Sequence, residues 1–138
     1  MKKKFVQNNG IYWNFIRELR NHPQIKLGFT QQKHISEKEH YRFMEKYGLH
    51  YFICLIDGVP AGYVGVVNND IRVATHPDYQ GMGIGKYMIE ELSKRHPNAF
   101  AKVKLENKTS IKLFESCGFK KKYYIFERST VRFYTQKD

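Results

Sequence analysis

The stretch that most constrains the fold is a glycine-rich loop between a β-like segment and a helix-like segment. It reads QGMGIG at residues 80–85 and follows the β-like residues 71–73. The next segment places Ile84, Met88 and Leu92 on one face, as an amphipathic helix does. Glycines turn tightly and leave no Cβ in the way of a ligand. The first N–H groups of a helix have no internal partners and lie at the positive end of its dipole. The loop therefore predicts a pyrophosphate-binding site.

Two other phosphate-binding loops share this layout, and the sequence excludes both. A Walker loop needs G-x-x-x-x-G-K-[ST], which is absent. The dinucleotide-binding loop needs a spaced G-x-G-x-x-G, which is also absent. A glycine-rich turn that only caps a helix stays open as the simplest alternative.

The loop resembles the acetyl-CoA loop of the GNAT (Gcn5-related) N-acetyltransferases. Their pattern is Q/R-x-x-G-x-G/A after a strand, and residues 80–85 match it. The preceding HPDY at residues 76–79 is a common way into the loop in that family. Residues 106–119, ENKTSIKLFESCGF, resemble the family's later motif, an Asn followed by a short helix that ends in Gly-Phe. The resemblance covers the chain from Phe5 to about Tyr134.

This resemblance implies an α/β (α+β) GNAT fold. The family has a central mixed, mostly antiparallel sheet of about six to seven strands, with about four flanking helices and with strands 4 and 5 parallel and splayed. In this sequence, residues 51–56, 61–67 and 71–75 read as three strands in hairpin succession, joined by Asp-Gly and Asn-Asn turns. Residues 100–104 are expected to pair in parallel with residues 71–75.

The remaining elements follow from local patterns. Residues 5–7 read as a first strand, and a helical stripe runs from Ile11 to about Arg20. Residues 24–35 show no clear period and read as a loop or a broken helix. Ser36 and Glu39 form a capping box that opens a helix, which ends at Gly48. Further predictions are helices at 83–94 and 110–116 and a final hairpin of strands at 123–126 and 131–134.

Composition sets the class of protein. The 138 residues are 41% apolar and 15% aromatic, which favours one folded domain over residues 1–138. No apolar run approaches the ~18 residues of a membrane span. We expect Cys54 and Cys117 to be reduced and the protein to be cytoplasmic. The net charge of +11 favours anionic ligands such as CoA, a nucleotide sugar or RNA. A lysine-rich surface without function would give the same charge.

The resemblance implies acetyl-CoA as cosubstrate and no metal. By family analogy, a backbone amide near Val73 to Thr75 polarises the thioester carbonyl. Asn107 and Ser110 match positions that bind the CoA arm, although both are also good helix N-caps. Lys86 and Lys112 are candidates for the nucleotide phosphates, with exposed lysines as the alternative. The predicted cofactor-binding residues are Val73, Ala74, Thr75, Gln80, Gly81, Met82, Gly83, Ile84, Gly85, Lys86, Asn107, Ser110 and Phe114.

The catalytic groups are less defined by sequence. Asp70 is the first candidate for the base that deprotonates the amine, with a turn residue as the alternative. His76 reads as part of the entry to the loop, and water is a further candidate base. Many family members carry a Tyr where Phe114 stands, and phenylalanine has no proton to give. Tyr123 and Tyr124 are the candidate acids, unassisted departure of the thiolate is a second explanation, and a protein that binds CoA without catalysis is a third.

Two further segments bear on the acceptor. RNHP at residues 20–23 and ISEKEH at residues 35–40 are loosely similar to a GNAT subgroup associated with amino-sugar nucleotides. His40 is therefore a candidate substrate-binding residue, with packing as the alternative. The leading hypothesis is direct acetyl transfer to a primary amine of a small molecule, such as an amino-sugar nucleotide. An RNA-bound or protein amine and a non-catalytic CoA-binding module are the alternatives. The sequence leaves open a monomer or a homodimer.

Overall fold

The computed structural model describes residues 1–29 and 33–128. Four strands form one antiparallel sheet in the order β1-β2-β3-β4, so each strand pairs with its neighbour in sequence. The five α-helices of the described chain lie between and after the strands. The elements are β1 Lys3–Gln7, α1 Trp13–Asn21, α2 Pro23–Lys26, α3 Glu37–Tyr47, β2 Tyr51–Ile56, β3 Val59–Val67, β4 Asp70–Thr75, α4 Ile84–Arg95 and α5 Lys108–Ser116.

Two tight turns set the register of the central hairpins. Asp57 and Gly58 have φ values of 48° and 81°, and Asn68 and Asn69 have values of 53° and 65°. Positive φ at both central residues is the signature of a type I′ turn, whose twist matches that of paired strands. The hairpin succession predicted for β2, β3 and β4 is confirmed.

The sheet is covered by helices on both faces, which explains the continuous apolar sequence of β2. Phe52, Cys54 and Ile56 face a core that also contains α4 residues such as Met88. Tyr51 and Ile53 face a second core, formed with α1 and α3. Both cysteines of the chain are free thiols in the structure. The described part of the chain contains no helix with the length and apolar character that crossing a membrane requires.

A side-chain cap begins α3, and a backbone motif ends α5. At the start of α3, Ser36 Oγ accepts a hydrogen bond from the Glu39 N–H at 3.2 Å and donates to Glu39 Oε1 at 3.0 Å. After α5, the Phe119 N–H donates to the Phe114 carbonyl and the Gly118 N–H to the Glu115 carbonyl. Gly118 has φ of 90°, and this pair of bonds is a Schellman motif. The capping predictions at both helices are confirmed.

The described sheet has four strands, whereas six to seven were predicted. Residues 101–104 form no ladder, and Phe100 alone makes a parallel bridge, to Asp70. The two segments are thus parallel and then splay, as the family pattern implies. Residues 123–126 are not a strand, because no described strand lies beside them, and their side chains are 65–92% exposed. The predicted strand at 131–134 lies outside the described residues.

The segment between α1 and α3 contains a short helix where a loop or a broken helix was predicted. Pro23 occupies the first turn of α2, where its missing N–H costs no hydrogen bond. The preceding His22 caps this turn, because its Nδ1 accepts from the Gln24 N–H at 3.2 Å. Proline therefore ends α1 and begins α2, which brings the α2 segment over the sheet edge at β4.

Candidate active site

A cleft of about 770 Å³ runs along the free edge of β4. Its size is typical of a site that encloses a cofactor-sized molecule. Its other walls are α2, the glycine-rich loop, residues 102–107 and α5. Most of the sequence-predicted site residues line it together, namely Asp70, Val73, Ala74, Thr75, Gln80, Gly81, Gly83, Ile84, Gly85, Lys86, Asn107, Ser110 and Phe114.

Lys112 and four of the other predicted site residues do not line this cleft. Met82 is 36% exposed and stands outside its walls. Tyr123 and Tyr124 are 81% and 83% exposed and lie in neither described cavity, so the structure does not bring a hydroxyl from them to the site. His40 lines a separate, smaller cavity.

The glycine-rich loop forms a cradle at the N-terminus of α4. Gly81 and Gly83 have φ values of 79° and 76°, the left-handed region that favours glycine. Gly83 is the residue that precedes the first turn of α4, and no side chain caps this helix end. A Cβ built on either glycine would meet no atom within 4 Å, so both face open space. The unpaired N–H groups of a 12-residue helix thus open into the cleft.

Gly85 has a different role from the other loop glycines. A Cβ at this position would lie 3.0 Å from Leu113 Cδ2 and 3.8 Å from Thr75 Oγ1. The missing side chain therefore lets α4 approach α5 closely at the end of β4. This packing holds the cradle beside the strand edge.

The free edge of β4 presents two backbone N–H groups to the cleft. The Ile71 N–H donates to the Phe100 carbonyl at 2.8 Å, whereas the His76 N–H points the other way and donates to β3. Backbone N–H groups alternate between the two sides of a strand. The N–H groups of Val73 and Thr75 therefore point to the same side as that of Ile71, where the described chain provides no further strand.

The side chains before and after the loop organise its entry. His76 Nδ1 accepts a hydrogen bond from the Asp78 N–H at 3.1 Å and so caps the 3₁₀ turn Pro77–Tyr79. Gln80 Nε2 donates to the Thr75 carbonyl at 3.4 Å. His76 does not line the cleft, so the structure gives it the structural role that the sequence favoured.

Asp70 lies at the start of β4, directly after the Asn-Asn turn. Its Oδ2 is 3.9 Å from Lys102 Nζ, and the side chains of these two residues are 21% and 48% exposed. The carboxylate is thus partly shielded from water yet reachable from the cleft. Asp70 therefore follows the turn, as one hypothesis required, and its carboxylate also has the access to the ligand that a base needs.

Asn107 caps α5 and also joins the two sides of the cleft. Its Oδ1 accepts from the Ser110 N–H at 3.1 Å, and its Nδ2 donates to the Gly28 carbonyl at 3.4 Å. Beside it, Lys104 Nζ donates to the Leu27 carbonyl at 3.2 Å. The α2 segment (residues 23–28) is thereby held against the 104–107 loop, and this contact closes one wall of the cleft.

A second cavity of about 210 Å³ lies between α1, α3 and the sheet. His40 is 8% exposed there, and its Nε2 lies 2.7 Å from the Trp13 carbonyl oxygen. Burial lowers the pKa of His40, with further lowering from Arg17 and Arg20. A neutral ring that donates from Nε2 to Trp13 keeps Nδ1 as an acceptor.

Several site residues were missed by the sequence analysis. Arg20 and Arg72 line both cavities, and Lys102 lines the main cleft. Tyr79 is the tyrosine that lines the main cleft among the described residues. A charged residue in the middle of an otherwise apolar strand was the available signal for Arg72. No group of three His, Cys, Asp or Glu side chains in residues 1–29 and 33–128 is placed to hold a metal ion.

Comparison with protein families identifies this architecture. The model of the Acetyltransferase (GNAT) family matches residues 13–119, most of the chain. The chain belongs to the GNAT acetyltransferase family. A search of curated proteins found no match to this GNAT chain. The amino-sugar-nucleotide subgroup has no support from these comparisons.

Solved structures show the same fold at low sequence identity. Spermidine N-acetyltransferase from Vibrio cholerae, in complex with CoA and spermine, matches with a TM-score of 0.77 and 19% identity over 91% of this chain and 85% of its own. AAC(6′)-Iy with a bisubstrate analogue matches at 0.70 and 20% identity over 94% and 99%. The yncA protein of Salmonella typhimurium, with acetyl-CoA, matches at 0.72 and 20% identity over 86% and 80%.

Proposed function

We propose that this GNAT protein transfers an acetyl group directly from acetyl-CoA to a primary amine of a small molecule. One observation carries the proposal: a single cleft joins the glycine cradle, the free edge of β4 and the Asp70 carboxylate. The names of the structural neighbours support it, since they include a spermidine N-acetyltransferase with CoA and spermine and an aminoglycoside N-acetyltransferase with CoA.

The residues of the cleft suit acetyl-CoA. The open space above Gly81 and Gly83 leaves the N–H groups of α4 accessible to a pyrophosphate. The N–H groups of Val73 and Thr75 are available to an extended arm and to a thioester carbonyl along the edge of β4. When bound, acetyl-CoA supplies the activated acetyl group. Each of these contacts uses the backbone, which explains why few charged side chains are needed for the cradle.

We assign to Asp70 the removal of a proton from the acceptor amine. An ammonium has no lone pair, so its proton must leave before the nitrogen forms the new bond. Asp70 accepts that proton directly or through one water, and a β4 N–H donates to the oxygen on which negative charge develops. Because Phe114 has no hydroxyl, the thiolate either leaves unaided or takes a proton from another group, for which Tyr79 is the tyrosine at hand.

For the acceptor we propose an amino sugar linked to a nucleotide. The two segments that resemble the amino-sugar subgroup are in contact, since Asn21 Nδ2 donates to the Ile35 carbonyl at 2.8 Å and Asn21 Oδ1 accepts from the Ile35 N–H at 2.9 Å. This pair of bonds joins the end of α1 to the approach to α3. Arg20 belongs to the first of these segments and His40 to the second, and both residues line the second cavity.

The test is thiol release from acetyl-CoA with a panel of acceptors. The panel contains amino-sugar nucleotides, polyamines, aminoglycosides, peptides and charged tRNA. We expect turnover with an amino-sugar nucleotide and none with tRNA or peptides. If acetyl-CoA raises the melting temperature but the whole panel is silent, the transfer hypothesis fails and the non-catalytic alternative replaces it. Turnover only with a peptide or charged tRNA would refute the small-molecule acceptor.

A further inference from the structure

The second cavity shares two wall residues with the main cleft. Arg20 and Arg72 line both spaces, so these two side chains lie where the cavities adjoin. Aromatic side chains, those of Phe43, Tyr51 and Tyr63, form part of the smaller cavity. Burial raises the pKa of both tyrosines, which keeps their hydroxyl groups protonated. The border between the two cavities therefore carries two arginines.

Arg72 is a half-buried cation whose described partners are all neutral. It lies in the middle of β4, with its guanidinium carbon 5.9 Å from the centroid of the Phe43 ring. No ion pair found in residues 1–29 and 33–128 includes Arg72. A partly desolvated charge without a counter-charge is costly. Such a position favours a ligand that brings an anion.

The acidic groups near Arg72 are engaged elsewhere. Asp70 Oδ2 lies 3.9 Å from Lys102 Nζ, and Glu39 Oε2 lies 3.7 Å from Lys33 Nζ. The Ser36 hydroxyl, followed by Lys33, lowers the pKa of Glu39. Neither carboxylate is paired with Arg72, whose positive charge therefore opposes a polycationic acceptor.

We propose that Arg72 binds the diphosphate of the acceptor and makes the enzyme select an anionic amine over a polycation. This inference rests on the proposed function, because it names a group of the nucleotide-linked acceptor. The planar fork of Arg72 suits two oxygens of one phosphate, which a lysine cannot match. Spermine and aminoglycosides would place their charges against Arg72 and are rejected by repulsion.

The experiment measures binding of UDP to protein saturated with CoA, by titration calorimetry. CoA occupies the glycine cradle, so UDP reports on the acceptor side alone, and no acetyl transfer is required. We expect Arg72→Gln to weaken UDP binding by about 10- to 100-fold, as for loss of hydrogen bonds from a charged group. Arg72→Lys should recover part of the loss, and raising the salt concentration should weaken binding to the parent protein.

Arg42→Gln is the matched control, because Arg42 is an exposed arginine of α3 that lines neither cavity. It removes the same charge and should change UDP affinity less than twofold. Unchanged UDP affinity in Arg72→Gln, or no UDP binding by the parent protein, would overturn the inference. If Arg72→Gln does not fold, Arg72→Lys decides, since an affinity equal to that of the parent would exclude the fork contact. If the protein acetylates an amine that has no anionic group and does not bind UDP, the proposed acetyl transfer is supported and only this inference is refuted.

Discussion

Replacing Gly83 by alanine tests acetyl-CoA binding at the glycine cradle separately from the stability of the fold. Gly83 has φ of 76°, and a Cβ there would meet no atom within 4 Å in the ligand-free protein. The substitution therefore destabilises the fold only because alanine disfavours the left-handed conformation, by about 1–2 kcal/mol. For a chain of this size, that corresponds to a melting temperature lower by about 3–8 °C.

The effect on acetyl-CoA should be larger than the effect on folding. The added methyl group at Gly83 projects into the cleft, at the N-terminus of α4 where the pyrophosphate is expected. Displacing the phosphate from one or two N–H groups loses charge-assisted hydrogen bonds of about 1.5–3 kcal/mol each. The dissociation constant for acetyl-CoA should rise by roughly 10- to 100-fold or more.

Gly58→Ala is the matched control for this change. Gly58 has φ of 81° and equally open surroundings, but it lies in the β2–β3 turn away from the cleft. Both variants should melt at similarly lowered temperatures, while only Gly83→Ala should lose affinity in calorimetric titration with acetyl-CoA. The reasoning is refuted if Gly83→Ala binds acetyl-CoA as tightly as the parent, or if Gly58→Ala weakens binding equally.

Three further changes test other parts of the molecule. Asp70→Asn should lower kcat by about 10²- to 10⁴-fold with the Kd for acetyl-CoA unchanged, as expected for loss of a base; unchanged turnover would make Asp70 a turn residue only. Leu92→Ala, at a side chain with 0% exposure, should lower the free energy of unfolding in urea by about 2–5 kcal/mol, and a loss below about 1 kcal/mol would contradict the packing described for α4. Because burial lowers the pKa of His40, the unfolded chain binds its proton at higher pH than the folded protein does, so stability falls as the pH drops below about 6.5 and the loss levels off below the folded pKa. His40→Gln should therefore gain stability relative to the parent between pH 7 and pH 5 in urea titrations, and a pH-independent difference would show that His40 is not the group responsible.

The features that the sequence predicted best are those written in a few adjacent residues. The Asp57-Gly58 and Asn68-Asn69 turns, the Ser36 cap and the Gly118 helix end each need a particular backbone conformation at one or two positions. Such requirements are local, so they do not depend on how the rest of the chain folds. The glycine-rich loop belongs to the same class, because its shape depends on Gly81 and Gly83.

The features that the sequence missed depend on which segments meet in space. Residues 100–104 have a strand-like pattern, but a strand also requires a neighbour, and the chain diverges from β4 after Phe100. The second cavity combines side chains of α1, α3, β2, β3 and β4, which no single stretch of sequence can reveal. The contact between Asp70 and Lys102 joins residues that are far apart in the chain.

The recessed position of the β4 edge has a consequence for self-association. An unpaired strand edge is normally a template for another chain and a route to aggregation. Here the wall formed where Asn107 and Lys104 contact the α2 segment stands over that edge. We expect this wall to admit one extended molecule along the N–H groups of Val73 and Thr75 and to hinder an edge strand of a second sheet. The wall that lines the cofactor cleft is thus expected to oppose edge-to-edge association of two copies.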